Sequence, residues 1–459
     1  MSKINVNILN FMNEHGYDFT KIKDLEKYVF NLSFCDVEDL TNVIMPKGKT
    51  IIDFHDGNDI KNVKLPKGDY TNSNFKNVYL DSVEFTDDSK LPKDFFISIY
   101  SASIDIKLPV DDYSKFKPSP VIFRSILYPE GSTFFKDKEI FDFRFESGTL
   151  KQCLPPLNFN EYNFYGTYII GFKFHKDTVF PDNREFFQNL YDRSTNNCYI
   201  DNLDFSKYDI DNIRLDSTSF GINVNFTEDT ESFQRIHEKN LSRCNFAKID
   251  LSKYNTKGLD FRNSVFGEDS EFPKNKNFFK NLKHDGIVKA SLPSKDYSFY
   301  DFTNVNLENV SFGENSILPK ENDFFQKIKN KSLWGVIMPK LDYSCYDFNG
   351  VNLCGCKFHS ESILPKTREF LEIASENLPV VSYLGESVFP LPKDLVRNID
   401  LINIEGLKIS LLGYEEYLSE KQLKFLRVKY RDEIGKNILL PDKGLFKEKS
   451  KNNDILIQL

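Results

Sequence analysis

The chain has 459 residues, with 68 Asp and Glu against 60 Lys and Arg and a formal net charge of −8. That balance, with no long Lys/Arg run, disfavours a nucleic acid or another polyanion as partner. Aromatic residues make up 15% of the chain, too many for one that stays disordered.

No run of 18 apolar residues occurs, so no membrane span is expected. The first 30 residues lack a charged start, an apolar core and a small-residue cleavage site. No secretory signal is therefore expected, and a cytoplasmic protein is. Heavy use of Lys, Asn, Ile and Phe suggests an AT-rich genome, bacterial or phage. The seven cysteines are an odd number, spread too widely for a disulfide frame. Cys354 and Cys356 form the single tight pair. No second pair and no His cluster completes a metal site.

In chain order, residues 1–44 do not repeat. Ile8, Leu9, Phe11 and Met12 predict a short helix ending near Gly16, and Leu25, Tyr28, Val29 and Leu32 predict a second. This segment is expected to be a helical N-terminal cap, covering the open edge of the repeat array. From residue 45 a five-residue rhythm begins loosely, and from Leu65 it is firm. Module starts then fall at Leu65, Leu108, Leu154, Ile200, Phe246, Leu292 and Met338. The first step is 43 residues and the others are 46. Within one module the large apolar residues are Leu292, Tyr297, Phe302, Leu307, Phe312 and Ile317, and Asp or Asn precedes several of them. Whole columns recur, such as Phe187, Phe233, Phe279 and Phe325, or Gly221, Gly267 and Gly313.

An extended chain that bends every five residues turns one large side chain inward per bend. Stacked turns would bury those side chains in one core while neighbouring backbones pair. Asp and Asn suit the bends, because their side chains bond nearby backbone. The second part of each module is different. Pro319 opens a short helical pattern with Phe324, Phe325 and Ile328 on one face. That helix is expected to span three turns at most and to dock through its aromatics. Residues 45–384 therefore read as a repeat solenoid, mainly β with a column of short inserted helices. Residues 385–459 read as a C-terminal cap. Phe389–Pro392 breaks the repeat, Ile399 to Ile409 suits short strands, and Ser419 to Gln422 is a capping box opening a helix over 420–434. The tail from Lys443 is polar.

The runs DFTNVNLENVSF and DFNGVNLCGCKF resemble the pentapeptide-repeat family, whose pattern is a small residue, Asp or Asn, then Leu or Phe. Val305-Asn306-Leu307 and Val351-Asn352-Leu353 meet it, and Ser73-Asn74-Phe75 less closely. The resemblance covers roughly residues 45–365 and implies a right-handed, four-sided β-helix. Two departures stand out. Tyr208, Ile213, Tyr254 and Tyr300 fill the small inward position with bulk, and a helix interrupts every module.

No G-x-S-x-G, P-loop or G-x-G-x-x-G occurs. The six histidines lie apart from Cys, Glu or His at ligand spacing. The sequence therefore predicts no catalytic residue, no metal ligand and no cofactor, and hence not an enzyme. The expected function is protein–protein interaction or scaffolding, as a bacterial effector (delivered to another cell in that case) or an assembly component. The candidate partner-facing residues are Lys320, Glu321, Lys327 and Lys329 on the helix face. The alternative, implied by the resemblance, is a DNA-mimicking protein that binds a type II topoisomerase.

Overall fold

The computed structural model describes residues 4–440 apart from 24, 26–27, 32–39, 45–51, 54–58, 120–125, 143–151, 360, 377–395, 406–408, 412–416 and 437. The loose start of the rhythm at Met45, the break at Phe389–Pro392 and the polar tail lie outside the described residues. Two compact units divide the chain: Met1–Lys248 with Lys253–Asn255, and Ile249–Ser252 with Thr256–Leu459.

Every strand pairing within each unit is parallel, with few and short helices between, and no closed barrel forms among the described residues. In the first unit β6 (Gln152–Cys153), β7 (Phe172–Lys173), β8 (Tyr199–Ile200), β9 (Ser219–Phe220) and β10 (Asn245–Phe246) pair in sequence order. Gln152 lies opposite Phe172, Lys173 opposite Tyr199, Tyr199 opposite Ser219 and Ser219 opposite Asn245. The chain thus returns to the same place after 20 residues, then 26, then 20, then 26. In the second unit β11 (Val265–Phe266), β12 (Ser291–Leu292) and β13 (Ser311–Phe312) do the same, and Ser311 and Ile337 then bridge onward to Ile337 and Lys357. A 46-residue module is therefore two rungs, one short and one long. The 43-residue first module has the same plan, with its long rung cut to 23, since Lys64 lies opposite Glu84 and Glu84 meets Lys107.

Strand alternation sets inside and outside. Ile200, Phe220, Phe246, Leu292 and Phe312 are buried, while Tyr199, Ser219, Asn245, Ser291 and Ser311 face outward. Each short rung begins with a local turn. Asp204 accepts from Ser206 N, Asp296 from Ser298 N and Asp342 from Ser344 N. These Asx turns satisfy backbone donors that the bends leave unpaired.

The expected pentad phase fails at one place. Ile317 and Ile363 are 40% and 45% exposed, and the buried residues are Leu318 and Leu364 beside them. The long rung adds a residue on its first side, so its inward position slips by one. Gly313 lies at the start of that side, where a Cβ would collide with the backbone of Ser294.

The bulky tyrosines have a structural role. Tyr208, Tyr254 and Tyr346 each donate a hydroxyl hydrogen bond to a carbonyl of the preceding long rung, at Pro181, Thr227 and Pro319. They fill space that the longer rung opens and cap carbonyls there. A second column caps carbonyls four residues back, from Tyr70 to Pro66, Tyr297 to Pro293 and Tyr343 to Pro339. Burial pushes Tyr208 and Tyr346 up to about 12 and Tyr70, Tyr297 and Tyr343 higher. The folded state holds protons that unfolded phenols release near pH 10. The stability they contribute is thus complete below about pH 10 and is lost as pH rises through the folded values. An alkaline titration followed by phenolate absorbance tests this. The buried class should ionise only together with loss of the far-ultraviolet circular dichroism signal. A single phenolate transition near pH 10 with the fold intact would refute these burial assignments.

The termini depart further from expectation. Helix α1 spans Ile8–His15 as expected, and Gly16 follows it at φ +80°. The expected second helix is instead strand β2 (Tyr28–Asn31), paired in parallel with β1 (Ile4–Asn7). Tyr28, Val29 and Phe30 are aromatic or β-branched, and a pairing partner outweighs a weak helical pattern. At the other end the Ser419–Gln422 capping box forms, but its helix is Glu420–Lys429, shorter than the expected 420–434. Tyr430 caps it, burying its ring and accepting from Ile404 N. Ile399–Leu401, expected as strand, is a single 3-10 turn.

Candidate functional site

The module helices are single turns: α2 (Phe95–Ser98), α3 (Phe186–Asn189) and α4 (Ser232–Arg235) in the first unit, and α5 (Phe324–Lys327) in the second. One turn cannot hold itself, so packing must. Phe324 and Phe325 are buried, and Phe325 stacks on Phe348 of the next rung at 4.8 Å. A glutamine column, not anticipated from sequence, completes the attachment. Gln326 donates to the carbonyls of Asp347 and Asn349, Gln188 to those of Asp209 and Asp211, and Gln234 to that of Asn255. The 46-residue step from Gln188 to Gln234 was the available signal.

Of the four candidate residues, Lys320 and Glu321 are exposed and precede α5. Lys327 is exposed at its last position and pairs with Asp323 at 2.7 Å. Lys329 lies past the helix and does not share that face. Its side chain is 19% exposed, pairs with Asp285 at 2.6 Å and meets His284 Nε2 at 2.9 Å. The helix ends too early to carry it, because Ile328 leaves the helix in an extended conformation, at φ −65° and ψ 159°.

The other singled-out groups act locally. His175 and His359 accept from Asp177 N and Glu361 N, as turn residues. Cys356 is buried, and burial pushes its thiol up, which works against nucleophilic or metal-binding use. Among the described residues no group of three or more His, Cys, Asp or Glu could hold a metal ion. No helix among them is long and apolar enough to cross a membrane.

Charge on the second unit is segregated around the rung. One arc comes directly after each inward start, and its rungs are joined by Glu271 N to Ile249 O, Ile317 N to Lys295 O, Lys340 N to Glu314 O and Ile363 N to Leu341 O. Its surface carries Glu268, Asp269, Glu271, Asp296, Glu314, Asp342 and Glu361, and its two lysines pair within it, Lys295 with Glu271 at 2.9 Å and Lys340 with Glu361. A second arc begins ten residues further along, half of a short rung. It is joined by Lys283 N to Leu259 O, Asn304 N to Lys327 O and Asn352 N to Lys331 O. It carries Lys257, Lys280, Lys283, Lys327 and Lys331. Its carboxylates are engaged by its own cations: Asp260, fully buried, by Arg262 and by Lys283 at 3.7 Å, Asp285 by Lys329, Asp301 by Lys280 at 3.0 Å and Asp323 by Lys327 at 2.7 Å, which leaves the arc a surplus of positive charge.

Comparison of the chain with protein-family models, with curated proteins and with solved structures returns no match.

Proposed function

We propose that the chain is a β-solenoid of the pentapeptide-repeat kind, with alternating short and long turns. In this reading it serves as a non-enzymatic protein-binding or scaffold module. The observation that carries the reading is the recurrence of one single-turn helix, pinned each time by a buried aromatic pair or its equivalent and, in three cases, by a glutamine. Such pinning holds exposed side chains at fixed, repeated positions, as extended binding faces of repeat proteins require. Lys320, Glu321 and Lys327 belong to that face, and Lys329 serves the internal ion pair. Their charge suits the rim of an interface.

The test is affinity capture from the native cell, then measurement with the purified partner. Lys320→Glu, Glu321→Lys and Lys327→Glu together should weaken binding at least tenfold, about 1.4 kcal/mol, and leave the thermal melt unchanged. Unaltered affinity would refute the helix face. The acidic arc favours a second reading, mimicry of DNA toward a type II topoisomerase. In that case purified protein should inhibit supercoiling, and reversal of Asp269, Glu271 and Glu314 should abolish the effect while the helix-face changes do not.

A further inference from the structure

We propose that the two charged arcs of the second unit are complementary docking surfaces for one another on different molecules, so that a second copy of this chain is the occupant of each. The proposal rests on the stacked-rung reading and on no foreign partner; its basic arc shares Lys327 with the helix face, and its test leaves that residue unchanged.

Each arc runs over five rungs, from 267 to 363 on the acidic side and, beginning one rung earlier, from 257 to 352 on the basic side. Both therefore repeat with the same two-rung step, about 10 Å at the usual strand spacing. An acidic ladder set against a basic ladder of equal repeat can align over its whole length. Within one molecule they cannot meet, since they lie half a rung apart. The pairing is between different patches, hence heterologous, and does not close on itself as a two-fold dimer would. Each added copy still presents one free arc of each sign. The contact is small, roughly 400 Å² per partner from five rungs and one side of about five residues, which places it in the weak, transient class. Ion pairs at such a surface are screened by salt, with a Debye length of about 10 Å at 0.1 M. The chain's net charge of −8 opposes assembly at long range, so association needs concentrated protein and low salt.

The test is sedimentation equilibrium of the full chain at low salt and at about 0.5 M salt. At low salt the average mass should climb with concentration past that of a dimer. At high salt it should return to the monomer's 53.5 kDa. Two variants complete the experiment. One reverses the acidic arc (Asp269→Lys, Glu271→Lys, Glu314→Lys), the other the basic arc (Lys257→Glu, Lys280→Glu, Lys331→Glu). Each alone should stay monomeric at low salt, and a one-to-one mixture should associate again, because one then supplies basic and the other acidic arcs. Thermal melts of both variants separate a loss of fold from a loss of association. Should either fail to melt as wild type does, single reversals at Asp269 and at Lys331 provide the same contrast with a smaller effect. The proposal is overturned if wild type is monomeric at low salt, if association ignores salt, if only one arc's reversal acts, or if the mixture stays monomeric.

Discussion

Replacing Phe302 with Asp should unfold much of the second unit, whereas Asn304→Asp, two residues away, should leave the melt unchanged within a degree or two. Phe302 is 2% exposed. Its ring stacks on Phe279 of the rung before at 4.7 Å and meets Phe324 of the rung after edge-on at 5.7 Å. One side chain thus ties three rungs. Losing a buried Phe costs roughly 3–5 kcal/mol, and a carboxylate in its place has no partner to offset its desolvation. Asn304 is exposed with φ +61°, a left-handed position that Asp tolerates. Phe302→Leu should fall between the two, and Asn304→Val should cost about 1–2 kcal/mol through the backbone alone. Thermal melts by circular dichroism rank all four. A melt for Phe302→Asp within two degrees of wild type would mean that this column does not form the core.

Much of this was legible because burial repeats. Leu292, Tyr297, Phe302, Leu307 and Phe312 were found by spacing alone, and each is at most 4% exposed. The phase then slips at Ile317. A pentad rule has no way to see the slip, since the added residue shows only in which backbone groups pair. The same blindness hid the division of a module into rungs of 20 and 26, because 26 is not a multiple of five. The left-handed turns were written in the sequence but spread over two residue types. Asn212, Gly258, Asn304 and Gly350 stand 46 apart with φ between 56° and 75°, and these are the two residue types that reach this region most readily. At the candidate site, Lys320 and Lys327 could be placed by counting along a helix. Lys329 could not, because the helix stops after one turn and the partner that claims it, Asp285, lies 44 residues earlier.

Deleting residues 293–338 should give a shorter protein that still folds and melts cooperatively. The cut joins Leu292 to Pro339 and removes one short and one long rung together. Leu292 then stands where Met338 stood, and both are inward starts. In a stacked array each rung contacts chiefly its neighbours, so the loss is close to a sum of local terms. Deleting residues 292–311, the short rung alone, should do far more damage with fewer residues removed. The inward phase survives, since Phe312 takes the place of Leu292. Two long rungs would then lie directly on each other, without the tyrosines that fit between them. Phe279 would lose its contacts with Tyr297, Tyr300 and Phe302. The turn at Phe279–Asn281 would have no short rung to receive it, as Phe325 and Gln326 of α5 are received by Phe348 and by the carbonyls of Asp347 and Asn349. Circular dichroism melts and gel filtration of the two proteins decide the matter. If the 20-residue deletion is as stable as the 46-residue one, the strict alternation of short and long rungs is not a requirement of the fold. If both aggregate, the modules are not separable units.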